Sequence, residues 1–182
     1  ADCRALAAAT PSRAFRGRRN DMAIELETER LRLRQWREGD VESLHAFYND
    51  PASQSVYGTA YTREDTWRRI ALNFGHWHLR GFGTWALEEK STKSFAGHAG
   101  LWFPEGWGDV EVGYGIASEH RRKGFAAEAA TCARDYGYKI GIPRLVSYIQ
   151  PTNAASIGVA TRLHAKPDGE FMMHGKQHTI YL

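Results

Sequence analysis

From Ile24 to Trp36 apolar and charged residues alternate, with Leu31 and Leu33 on one side and Arg30, Arg32 and Arg34 on the other. That period of two predicts one half-buried strand whose arginines form a solvated face. Val41, Leu44, Phe47 and Tyr48 then share a helical face that Asp40 can cap and Asn49-Asp50-Pro51 stops. A polar loop runs from there to Tyr61. Thr62 and Asp65 resemble a capping box, with Asp in place of the usual Glu or Gln. The helix it opens carries Trp67, Ile70, Ala71, Phe74 and Trp77, read as core or as a substrate-side wall, and meets Gly81 and Gly83. Trp85 with Leu87, and Phe95 to Phe103, read as two strands joined by the turn Lys90 to Ser94. A turn at Pro104-Glu105-Gly106 leads into a strand from Val110 to Ile116. An Ala-rich helix follows Gly124 and ends near Gly141-Ile142-Pro143. Leu145 to Ile149 is a short strand, Asn153 opens a helix through Leu163, and Phe171 to Met173 and Thr179 to Leu182 are closing strands. Strands and helices interleave without a repeat or linker, which predicts one α/β (α+β) domain over residues 22–182.

Residues 1–21 stand apart. They hold Arg13, Arg16, Arg18 and Arg19, few bulky aliphatic residues and no sustained period. Two readings fit: a disordered extension or upstream over-translation, and an Arg-rich, acid-poor targeting segment. Both place the segment outside the fold.

A chain of 182 residues suits one domain with a real core. Its apolar runs are too short to span a bilayer, so no membrane role is expected. A net charge of +3 is too small to imply nucleic acid without clustered cations. Cys3 and Cys132 make neither a disulfide framework nor a metal site, and a reducing cytoplasm is the natural compartment. His76 and His78 flank Trp77, and residues two apart on a helix do not share a face, so no metal is expected there.

The junction after the Val110–Ile116 strand carries the chemistry. It reads Ile116-Ala117-Ser118-Glu119-His120-Arg121-Arg122-Lys123-Gly124-Phe125-Ala126. A strand feeding a helix N-terminus leaves backbone N–H groups unpaired, and the helix dipole adds positive potential. Together they make an anion site. Gly124 permits close backbone approach, Ala126 keeps the first turn narrow, and Arg121, Arg122 and Lys123 add charge at the rim. This suits a pyrophosphate, yet neither G-x-G-x-x-G nor G-K-[ST] is present. An ordinary helix start with surface cations is the plain alternative.

Arg121-Arg122-Lys123-Gly124-Phe125-Ala126 resembles the acetyl-CoA signature [RQ]-x-x-G-x-[GA] of the GNAT acetyltransferase superfamily, and Phe125-Ala126-Ala127-Glu128-Ala129 resembles its continuation. Thr28 to Arg34, Leu79 to Ala86, Glu111 to Tyr114 and Asn153-Ala154-Ala155-Ser156 resemble, in order, the RimJ/RimL-like branch of ribosomal-protein N-terminal acetyltransferases. The likeness runs from about Ile24 to the C-terminus. It implies a GNAT fold: a mixed, mostly antiparallel sheet with flanking helices, in which the parallel strands Val110–Ile116 and Leu145–Ile149 splay apart. It implies acetyl-CoA as co-substrate, and no metal. The pantetheine arm would pair with backbone around Ile116, Ala117 and Ser118, and the pyrophosphate with the N–H groups of Arg121, Arg122, Lys123, Gly124, Phe125 and Ala126. Two departures stand out: Arg121-Arg122 replaces the aromatic-Gly pair of many members, and His164 replaces a helix-ending Gly.

The resemblance also assigns roles. Glu111 would help deprotonate the amine, against the alternative of a strand-end ion pair. Backbone N–H groups near Ile116 would polarise the thioester carbonyl. Asn153 is a natural N-cap and would also contact pantetheine. Ser156 would protonate the leaving thiolate, or be a first-turn helical serine. His98 lies on a strand and could approach the substrate, with packing the plainer reading.

The acceptor is an amine, either a protein N-terminus or a small molecule such as a polyamine or aminoglycoside. Its specificity is expected on the first two helices and the Tyr48 to Tyr61 loop. A non-catalytic CoA-binding sensor is the competing class. The sheet edges leave room for a homodimer, on which the sequence is silent.

Overall fold

The computed structural model describes residues 4–6, 24–58, 60–173 and 175–182. Its strands are β1 (Arg4–Leu6), β2 (Glu25–Glu27), β3 (Leu31–Arg34), β4 (Thr84–Glu89), β5 (Phe95–Trp102), β6 (Val110–Ile116), β7 (Leu145–Ile149), β8 (Pro167–Met173) and β9 (Lys176–Tyr181). Five α-helices are interleaved: α1 (Val41–Asn49), α2 (Pro51–Tyr57), α3 (Arg63–Arg80), α4 (Phe125–Lys139) and α5 (Ala154–Arg162). The strands line up in the order β1-β2-β3-β4-β5-β6-β7-β9-β8, antiparallel throughout except β6 with β7. Of residues 1–21, only Arg4–Leu6 are described; they pair with β2 at the sheet edge, while the remainder of that segment lies outside the described residues.

The single strand expected from Ile24 to Trp36 is instead a hairpin. Thr28 turns the chain: its N–H reaches Leu31 O at 2.9 Å, and its Oγ1 accepts from Leu31 N–H at 2.9 Å. Leu31 and Leu33 are fully buried, as the alternation requires. The arginine face, however, is not simply solvated. Arg34 is buried and bridges Asp40 at 2.7 Å and Glu88 at 3.0 Å, while Arg32 pairs with Glu25. Asp40 is therefore committed to Arg34 and to the Arg37 N–H, and its side chain does not cap α1.

Two apolar clusters flank the sheet. One joins Leu31, Leu33, Trp85, Leu87 and Leu101 to the small residues Ala129, Ala130 and Ala133 of α4. The other packs Val41, Leu44 and Phe47 of α1 with Ile70 of α3, Trp36 and Ala86. Trp85 and Ala86 face opposite clusters, as adjacent strand residues must. Cys132, in the α4 cluster, is disulfide-bonded, where the sequence suggested no disulfide framework.

The box at Thr62 and Asp65 forms as read, with Thr62 Oγ1 accepting from Asp65 N–H at 3.1 Å. The α3 stripe does not: Trp77 is buried, but Trp67 and Phe74 are 50% and 48% exposed. Much of the expected polar loop is α2, with Pro51 at its start and the Asp50 carboxylate accepting from Ser53 N–H. His164, at φ 63°, ends α5 in place of glycine. Ala165 N–H bonds Ala160 O and His164 N–H bonds Thr161 O, both at 3.0 Å, so a Schellman cap forms despite its Cβ. Among the described residues no helix is long and apolar enough to cross a membrane.

Candidate active site

The parallel ladder between β6 and β7 holds only two pairs, Val110 with Leu145 and Glu111 with Val146. Beyond them the strands diverge. Ser147 Oγ closes the start of the gap by donating to Val112 O at 2.8 Å. Since backbone direction alternates along a strand, the N–H groups of Tyr114 and Ile116 face the same opening as Val112. Ala117 N–H turns the other way, to Ala96 O at 3.0 Å.

The opening continues into a cleft of about 760 Å³ between α2, the 118–124 loop, the start of α4, and α5. Of the residues assigned to acetyl-CoA, Ile116, Arg121, Arg122, Gly124, Phe125, Ala126 and Asn153 line it, as does Ser156. Ala117 is buried in the α1 cluster, and Ser118 and Lys123 are exposed. At the α4 N-terminus Gly124 takes φ 84°, and a Cβ there would meet Arg30 Nη2 at 3.3 Å. The three N–H groups of Phe125, Ala126 and Ala127 precede the first intrahelical bond, from Glu128 N–H to Gly124 O.

The three loop cations divide the work. Arg121 is internally committed, donating to Ile116 O at 3.0 Å, to Asp50 Oδ2 at 2.7 Å and to Ser53 Oγ at 3.0 Å. It ties the loop to α2. Arg122 and Lys123 are exposed, and Arg122 holds φ 58°, in the left-handed region that favours glycine. His120 is 4% exposed, lines the cleft and stacks on Phe125; among the described residues its Nδ1 makes no hydrogen bond, and Glu89 Oε2 stands 3.5 Å from it.

The motif's Glu128 is structural. It accepts from Thr28 Oγ1 at 2.5 Å, from Arg30 N–H at 3.0 Å and from Arg30 Nε at 2.8 Å. Burial works to raise its pKa, and these hydrogen bonds outweigh it, leaving the carboxyl below its usual range. Arg30 also reaches Lys123 O at 2.8 Å, so the β2–β3 turn holds the 118–124 loop from outside.

Glu111 and Ser156 sit on different sides of β6. Glu111 shares a face with Gly113 and Gly115, and Trp107 Nε1 donates to its Oε2 at 3.0 Å. Burial pushes its carboxyl up to about 7, against the Trp107 hydrogen bond and the charge of Arg69. Towards the cleft, Gly115 leaves no room for a side chain: an added Cβ would stand 2.7 Å from Phe47, 2.8 Å from His98 Nε2 and 2.9 Å from Tyr57 Oη. Tyr57 Oη and His98 Nε2 are 3.3 Å apart. Burial, helped by Arg69, pulls His98 down to about 4, so its ring is neutral at physiological pH. His98 therefore belongs to the lining beside the site as well as to packing.

On the other side, Ser156 N–H donates to Asn153 Oδ1 at 3.1 Å, the N-cap read from the sequence. Tyr114 Oη donates to Ser156 O at 3.2 Å and also lines the cleft. Burial raises this phenol to about 12. Tyr114 is a hydroxyl beside Ser156 that sequence reasoning missed. Its signal was strand parity: it faces away from Glu111.

Residues 30–166 match the acetyltransferase (GNAT) domain. The chain belongs to the GNAT acetyltransferase family. It is an acetyl-CoA-dependent N-acetyltransferase. It is 32% identical over 146 residues to the uncharacterized protein YkkB of Bacillus subtilis, covering 76% of this chain and 83% of that one. An acetyltransferase crystal structure from Agrobacterium tumefaciens superposes with a TM-score of 0.77 at 26% identity, covering 95% and 98% of the two chains. RimL, a ribosomal L7/L12 alpha-N-protein acetyltransferase solved in complex with coenzyme A, shares the fold with a TM-score of 0.66 at 20% identity, covering 85% of this chain and 93% of that one. The GNAT fold expected from the motifs, with its splayed parallel pair, is the fold observed.

Proposed function

We propose that the cleft holds acetyl-CoA and that the chain passes the acetyl group directly to a primary amine within a ternary complex. The observation that carries this is the splay itself: two ladder pairs, then an opening that runs to the free N–H groups of the α4 N-terminus. Arg122, Lys123 and those N–H groups would hold the pyrophosphate, and Asn153 and the backbone at Ile116 the pantetheine arm. When bound, acetyl-CoA supplies a thioester carbon that an amine nitrogen can attack, with the C–S bond breaking and the electron pair leaving on sulfur.

The residues then have two proton tasks. An amine is mostly protonated at pH 7 and must lose a proton before it attacks. Glu111, with a pKa near 7, is matched to that task, directly or through a water over Gly113. The departing thiolate gains from a proton, and Ser156 is the cleft hydroxyl assigned to give it, with Tyr114 beside it. The Ile116 N–H would polarise the carbonyl.

The acceptor enters from the α1–α3 side, where Phe47, Tyr57 and His98 form the wall. A protein N-terminus is the favoured acceptor, supported by the shared fold with RimL, which acts on L7/L12. Initial rates at varied acetyl-CoA and acceptor test the direct route. Intersecting double-reciprocal lines are expected; parallel lines with an isolable acetylated enzyme would overturn it.

A further inference from the structure

Arg69 is a cation that the transfer chemistry leaves unused. It projects from α3, partly buried, with its guanidinium 5.8 Å from the Trp102 ring and its Nε 3.4 Å from Tyr48 Oη. Tyr61 stacks on Tyr48 with centroids 4.3 Å apart. The charge of Arg69 acts on both Glu111 and His98, which places it in the electrostatic field of the acceptor side.

Other arginines of the fold are satisfied by acids. Arg34 has Asp40 and Glu88, Arg63 has Glu42, Arg68 has Asp65, and Arg121 has Asp50. Among the described residues, Arg69 has no carboxylate within ion-pair distance. A partly desolvated guanidinium with most of its five donors unspent is costly unless something fills them. Beside it lies a hollow of about 410 Å³ bounded by Ala60, Tyr61, Asp65, Arg68 and Leu72. Asp65 is engaged by Thr62 and Arg68, so it does not neutralise Arg69.

We propose that Arg69 holds a carboxylate of the acceptor. This rests on the acetyl-transfer reading of the same site and narrows its substrate class. The acetylated amine belongs to a molecule that also carries an acid: a peptide with an acidic residue near its N-terminus, or a free amino acid. Guanidinium suits this task because its planar fork matches two carboxylate oxygens. The same cation disfavours a polyamine, whose second ammonium would meet a like charge.

Calorimetric titration of the CoA-loaded protein with matched acceptors tests it. One pair is the amidated tripeptides Ser-Asp-Ala and Ser-Asn-Ala; the other is serine and serinamide. At least one acid should bind about tenfold or more tightly than its amide, the scale of a charge-assisted hydrogen bond. Arg69→Gln should bring that acid down to the affinity of the amide. Arg69→Lys, which keeps charge and stem, should retain a preference, and unchanged CoA binding in both variants shows an intact fold. The responding pair identifies the source of the acid. Equal affinities in both pairs, no binding by any of the four, or a preference surviving Arg69→Gln would each overturn the assignment. Failure of the transfer reading looks different: an acid preference persists while acetyl-CoA yields no acceptor-dependent thiol release.

Discussion

Arg30 and Glu128 meet in a 2.6 Å ion pair that joins the β2–β3 turn to the first turn of α4. Two separate segments with family likeness, Thr28 to Arg34 and Phe125 to Ala129, are thus the two halves of one clamp. Its output is the position of Lys123 and Gly124, because the same guanidinium binds Lys123 O.

Removing the clamp should cost both stability and donor binding. Glu128 is largely buried while Arg30 is 45% exposed, so the pair is partly screened. Glu128→Ala should lose about 1–2 kcal/mol in denaturant unfolding, at the lower end of charged hydrogen bonds. The KM for acetyl-CoA should rise with little change in kcat. A lower kcat at unchanged KM would mean that the carboxylate acts on chemistry instead.

Arg122 offers a test with opposite signs. A left-handed non-glycine residue is strained by about 1–2 kcal/mol, partly offset by the entropy glycine loses on folding. Arg122→Gly should therefore raise the melting temperature slightly, by up to about 1 kcal/mol of stability, yet raise the acetyl-CoA KM by loss of a cation. Binding unchanged in that variant would remove Arg122 from the phosphate contacts.

The pKa of Glu111 makes a prediction about pH. As a base it must be ionised, so kcat should climb as pH rises through about 7 and then level. Glu111→Gln should lose that limb and at least about tenfold in rate. Stability should move the other way. A folded pKa raised above the ordinary 4.5 contributes stability below 4.5 that is lost as pH rises through about 7. Gln carries no such penalty, so Glu111→Gln should gain melting temperature relative to the parent between pH 5 and pH 8. An unchanged rate profile would leave Glu111 a strand-end carboxylate held by Trp107.

Ser156→Ala and Tyr114→Phe separate two neighbouring hydroxyls. With Ser156 as donor of the thiolate proton, Ser156→Ala should lose about tenfold or more in kcat. Tyr114→Phe removes one hydrogen bond to Ser156 O and should lose less. The reverse order would give the proton to the phenol; a loss under about twofold in both would assign it to solvent.

Much of this fold was legible because its signals are local. The capping box at Thr62, the Asn153 cap and the strand-to-helix junction at Gly124 each depend on residues a few positions apart. What the sequence hid depends on distant partners. Arg34 looks like a solvated residue until Glu88, 54 positions on, comes beside it. Arg121 reads as a phosphate cation until α2 brings Asp50 within 2.7 Å. Helical spacing cannot say that Trp67 and Phe74 lie off the buried stripe, since α3 covers the sheet along one side only. Period counting likewise missed the hairpin, whose turn is made by a single threonine hydroxyl. The candidate site followed the same rule: the strand-to-helix junction was visible, whereas Tyr57, His98 and Arg69 on one side of β6, and Tyr114 on the other, are placed only in three dimensions.

Release of CoA thiol from acetyl-CoA, measured against N-terminal peptides, amino acids, polyamines and aminoglycosides with acceptor-free controls, tests the central claim most directly. The account predicts release that depends on an amine acceptor, strongest for acceptors that also carry a carboxylate. Acetyl-CoA that neither binds nor releases thiol with any of these amines would contradict it.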